Sequence, residues 1–150
     1  MNEIHIFNKR LCLIIAFTAI LVGGIIYYLF LPDVLFVKAI DNVLPFSIHF
    51  SVSTTSPVIV VLRYYLFDFL WALSLTSCIS LFYDNFHIKS LLMIFSTVSI
   101  TEIVLELIQL SAYIPGHFDY RDIVVELSAD IITLSVLYFV SRYEAIKRRK

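Results

Sequence analysis

The chain has 150 residues, of which 60% are hydrophobic and only 15% charged, and its mean hydropathy is +0.91. Soluble domains are about half apolar and about a quarter charged, so this balance points to lipid rather than water. A formal net charge of -1 with no basic face gives no support to nucleic-acid binding, and one domain covering residues 1–150 is expected.

The first apolar run, "LCLIIAFTAILVGGIIYYLFL" (residues 11–31), carries no charge. At about 1.5 Å per residue it covers roughly 30 Å, the thickness of a hydrocarbon core. A signal peptide would have an apolar region of about 7–15 residues followed by small residues. This run is longer and ends in Tyr27, Tyr28 and Phe30, which predicts an uncleaved anchor. Residues 32–63 contain Pro45, Pro57 and a Ser/Thr cluster, and their apolar stretches are too short to span. They predict an outer loop that lies on or dips into the interface. A second span follows at residues 64–83, marred only by Asp68, a third at 91–113 with two glutamates, and a fourth at 122–143 with acids in its first half. Cys12 and Cys78 fall inside apolar runs and read as buried thiols rather than a disulfide or metal pair. The expected fold is all-α, a polytopic membrane bundle of four transmembrane helices.

Basic residues orient the bundle. Lys9 and Arg10 precede the first span, Arg142, Lys147, Arg148, Arg149 and Lys150 close the chain, and Lys89 lies in the turn between the second and third spans. The opposite side holds only Lys38, Arg63 and Arg121. The positive-inside rule then predicts both termini in the cytoplasm.

This topology gathers the acids at one leaflet. Ser99, Glu102, Glu106, Gln109 and Tyr113 recur at helical spacing on the third span, as do Asp122, Glu126, Asp130 and Thr133 on the fourth. An ionisable side chain facing lipid costs a few kcal/mol, so both stripes should face inward, with some carboxyls retaining protons. Arg63 and Arg121 are the expected counter-charges, and His117 is the histidine near the acids. The candidate polar cluster is therefore Arg63, Asp68, Glu106, Gln109, His117, Asp119, Arg121, Asp122 and Glu126. Adhesion between helices through buried polar groups is the plainer alternative, above all for Glu102 and Asp130. No HExxH pair exists for zinc. A hard cation on Glu106, Asp119 and Asp122, or acid–base chemistry on a lipid-linked substrate, remains open on spacing alone, though neither a metal nor a cofactor is expected.

The order "RYYLFDFLWALSL", then "ELIQ", then "GHFDYRDIVVE" resembles the VanZ-like family of small bacterial membrane proteins, over roughly Arg63 to Phe139. Asp68 and Trp71 fall on the family's Leu-rich span, Glu106 and Gln109 on its E-x-x-Q motif, Phe118 and Asp119 on its turn, and Asp122 at the start of its last helix. The chain departs from the pattern at His117, where many members have Arg, at Glu126 in place of Asn, and at Ala129 in place of Gly. Its turn is also one residue shorter. The resemblance implies a multi-pass protein of the bacterial plasma membrane whose outward acids bind or modify a lipid-linked envelope precursor or amphiphilic small molecule, with an effect on teicoplanin-type glycopeptide susceptibility. A small proton-coupled transporter using Glu102, Glu106 and Asp130, and a scaffold without a site, are the alternatives.

Overall fold

The structure is a computed structural model that describes residues 3–30, 35–43, 48–49, 61, 65–110 and 118–147. All its regular structure is helical: α1 (Glu3–Phe30), α2 (Leu35–Asp41), α3 (Leu66–Ser80), α4 (Ile88–Gln109) and α5 (Tyr120–Lys147). The helices α1 from Ile6 onward, α4 and α5 are each long and apolar enough to cross a membrane. The expected second span is helical over 15 residues. That is roughly 22 Å, short of a full crossing. The expected outer loop contains α2, which places seven helical residues where no helix is legible in the sequence.

Long-range contacts fix the directions of the helices. The Tyr27 and Phe67 rings lie 4.7 Å apart, and Asn8 Nδ2 donates to Ser141 Oγ at 3.3 Å, so α1 runs against both α3 and α5. α3 ends because the N–H groups of Leu81, Phe82 and Tyr83 turn back to the carbonyls of Cys78, Ile79 and Ser80, tightening the last turn. Phe86 then folds inward and is buried, and His87, in an extended conformation, begins α4. Lys9 Nζ lies 3.5 Å from Asp84 Oδ1 at the same end of the bundle, although the exposure of this pair makes it worth little.

Packing of α1 on α3 uses small residues. Cys12, Ala16, Ala19 and Gly23 are all buried and follow helical spacing along one stripe. The stripe brings the backbones close enough for Ser74 Oγ to donate to the Ala16 carbonyl at 3.2 Å. A Cβ at Gly23 would lie 3.6 Å from that of Leu70, an ordinary contact, so alanine fits there.

The interior is divided by polarity. Cys12, Phe86, Ile94, Val98, Leu134 and Leu137 form an apolar cluster toward the end where α1 begins. The other half buries Ser74, Thr76, Ser99, Glu102, Glu106, Glu126, Asp130 and Thr133. Outside, Phe17 is 70% exposed and Phe139 68%. Carboxyls within and bare aromatics without invert the order of a water-soluble bundle and match one whose solvent is lipid.

Candidate functional site

The acids converge on one end of the bundle. Asp68 stands in the first turn of α3, Glu106 and Gln109 in the last turn of α4, and Asp122 in the first turn of α5, with Glu126 one turn further in. Antiparallel packing of α4 on its neighbours brings these ends to a common level. Glu106 and Glu126 are buried, and Asp68, Gln109, Asp119 and Asp122 are half-buried. Gln109 Nε2 donates to Glu106 Oε1 at 3.2 Å. The carboxyls of Asp68, Glu106, Asp122 and Glu126 lie within electrostatic reach of one another, all with the same sign.

Of the two expected counter-charges only Arg121 lies within the described residues, and its side-chain hydrogen bonds go to tyrosine hydroxyls. The Arg121 guanidinium turns outward, donating through Nη1 to the Tyr65 hydroxyl at 3.3 Å and through Nε to the Tyr120 hydroxyl at 3.4 Å. Its charge lies 5.8 Å from the centre of the Tyr120 ring. A guanidinium at the rim gains two hydroxyl acceptors and a ring face while staying hydrated; deeper among the acids it would lose that water. Arg63 and His117 lie outside the described residues.

Asp119 has a local duty. Its Oδ1 accepts the Arg121 backbone N–H at 2.9 Å, which makes it the N-cap of α5. Asp122, three residues on, sits where a carboxylate favours the positive end of the helix. Part of the acidic density in "FDYRD" is thus helix-starting chemistry.

Sequence reasoning missed the hydroxyl face opposite these acids. Ser74, Thr76, Ser77 and Ser80 of α3 are all buried. The Thr76 hydroxyl donates to Asp130 Oδ1 across the bundle, while Ser77 and Ser80 donate to the Leu73 and Thr76 carbonyls at 2.8 and 2.7 Å. The run "SLTSCIS" inside an otherwise apolar span was the available signal.

A second polar group lies at the far end of α1. Tyr28 donates its hydroxyl to Asp41 Oδ1 at 2.8 Å, and His49 Nε2 lies 2.7 Å from Asp41 Oδ2. His49 Nδ1 meets the Tyr28 carbonyl at 3.1 Å. Burial pulls the Asp41 carboxyl upward, but hydrogen bonds from Tyr28 and His49 outweigh it and hold its pKa below the ordinary value.

Chemically, the main cluster is an array of acceptors. Two of its oxygens, Glu106 Oε2 and Glu126 Oε2, are buried with no hydrogen-bond partner among the described residues, a condition that costs free energy unless a proton or ligand supplies the donor. Among the described residues, no three His, Cys, Asp or Glu side chains converge to hold a metal ion. Two apolar grooves, of ≈ 370 Å³ along α1 and ≈ 460 Å³ between α4 and α5, run along the outside of the bundle. Fold and polarity together define an α-helical membrane protein with three helices fit to cross a bilayer. The chain matches no protein-family model, no curated protein and no solved structure.

Proposed function

We propose that this chain is a VanZ-like protein of the bacterial plasma membrane whose acid-lined end receives the head group of a lipid-linked or membrane-embedded amphiphile. One observation carries the reading: carboxyls from three helices turn into one end of the bundle, and buried oxygens of Glu106 and Glu126 have no donor among the described residues. Acceptors without donors suit a head group that brings its own, such as sugar hydroxyls or an ammonium, and disfavour a bare anion. The ligand's tail would lie in the bilayer along the apolar faces of α4 and α5.

In this reading the apolar run at residues 64–83 is a fourth crossing, both termini are cytoplasmic, and the acids face outward. Single cysteines at Phe118 and Ile146, in a background lacking Cys12 and Cys78, test the arrangement. An impermeant thiol reagent on intact cells should reach the first and spare the second; equal or reversed labelling would refute it.

Membrane anchoring raises the local concentration of an acylated drug, so a protein acting at the outer interface changes that advantage and leaves binding to the cell-wall peptide untouched. Overexpression should therefore shift inhibitory concentrations of lipid-tailed glycopeptides more than that of untailed vancomycin. Glu106→Gln should remove the difference while remaining in the membrane. Equal shifts for both drugs, or a fully active variant, would defeat the proposal.

A further inference from the structure

Below the outer acids the structure holds a second carboxyl pair that the proposed ligand site does not use. Glu102, one turn inward from Glu106 on α4, is 1% exposed, and Asp130, one turn inward from Glu126 on α5, is fully buried. The two carboxyls approach closely enough to share a hydrogen bond. Thr76 of α3 donates to Asp130 Oδ1. With both acids ionised, Glu102 Oε1, Glu102 Oε2 and Asp130 Oδ2 have no donor among the described residues. Ser99 Oγ, one turn deeper on α4, is likewise buried without a partner.

Among the described residues, the charged and titratable groups that face the pair are all acids. Glu126 faces it from α5, with Asp68 of α3, Glu106 of α4 and Asp122 one step further out. Two adjacent anions in a poorly solvated interior repel each other and lose hydration, whereas a single proton between them removes both penalties and supplies the missing donor.

Access to the pair is one-sided. Toward the acid-bearing end the next polar group is Glu126, about 6 Å along the helix from Asp130. Toward the other end the hydroxyls of Ser99 and Thr133 on α4 and α5 give way to Val98, Leu134, Ile94 and Leu137, the apolar cluster, while the buried Ser77 and Ser80 of α3 donate to carbonyls of their own helix. Among the described residues, buried carboxyls continue from the pair toward the acid-bearing end, and none does so toward the other.

We propose that Glu102 and Asp130 form a single proton-binding site that exchanges, through Glu126, with only the membrane face bearing Asp68, Asp119 and Asp122. The step is a proton transfer between carboxyl oxygens: one O–H bond breaks as another forms, and no other reactant is consumed. In this arrangement the chain stores a proton and does not leak it across the membrane.

Infrared spectroscopy on the full chain in liposomes tests this through the C=O band of a protonated carboxyl, identified by its shift in heavy water. Wild type should show such a band, and Glu102→Gln and Asp130→Asn, each preserving side-chain shape, should each abolish it. In vesicles oriented by affinity capture, a pH step on the acid-bearing face should change the band and a step on the opposite face should not. If either variant fails to insert, the other variant and the sidedness of the wild-type band still decide. Absence of the band, its survival in a folded variant, an equal response from both faces, or passive proton flux above that of empty vesicles would overturn the proposal. These readouts do not depend on the amphiphile site, because the band is measured without ligand.

Discussion

Both ring nitrogens of His49 face acceptors: the Asp41 carboxylate at Nε2 and the Tyr28 carbonyl at Nδ1. A carbonyl oxygen cannot donate, and neither can an ionised carboxylate, so both contacts are hydrogen bonds together only in the imidazolium form, which they favour. The hydrogen bond to Asp41 is the main cause that raises the His49 pKa above its ordinary 6.5. Because the folded value is raised, the stabilisation is complete below the unfolded value and is lost as pH rises through the folded one. NMR titration of the His49 ring should give a midpoint above 6.5, and Asp41→Asn should bring it down. An unchanged midpoint in the variant would show that the contact does not form in solution. Asp68, Glu106, Asp122 and Glu126 have no such cationic partner among the described residues, which separates them from the ion-paired clasp at the end of α1.

The start of α5 shows how one short motif serves two purposes. Asp119 caps the helix, while Asp122 and Glu126 on the next turns look inward. Removing the cap with Asp119→Ala should cost about 0.5–2 kcal/mol of stability, whereas Asp119→Asn, which keeps an accepting oxygen, should cost little. Thermal unfolding in detergent separates the two; equal losses would mean that the carboxylate charge, not the cap, is what α5 needs. The two inward stripes were legible because charge in an apolar helix has only one affordable direction, and Glu102, Glu106, Glu126 and Asp130 are buried accordingly. The partner of Asp130 was not legible. Serine and threonine are common in membrane helices, and only the crossing of α3 and α5 makes Thr76 differ from Thr97, which bonds its own helix at the Met93 carbonyl. Likewise Arg121 read as a counter-charge from its position, but the choice between carboxylate and tyrosine depends on the side-chain path to the rim, which spacing does not encode. The break after Ser80 is set by the tight turn at Leu81–Tyr83, which an unbroken hydropathy run through Tyr83 conceals.

Taken across the bundle, the distribution of polarity has an axis. One end carries the acids, the middle carries hydroxyls and the Glu102–Asp130 pair, and the other end is sealed by the cluster around Ile94 and Leu137. A scaffold needs a few interhelical hydrogen bonds to hold together; it has no use for buried oxygens left without donors at Glu106 and Glu126. The central claim is that those oxygens await an amphiphile's head group. Photo-crosslinking in liposomes tests it most directly, with an acylated probe that carries an amine beside its photoreactive group. Mapping by mass spectrometry should place the adducts on α3, α4 and α5 around Asp68, Glu106 and Asp122, and Glu106→Gln should reduce that labelling several-fold while leaving background labelling of lipid-facing Phe17 and Phe139 unchanged. Adducts spread evenly over the apolar outer faces and indifferent to Glu106→Gln would contradict the account.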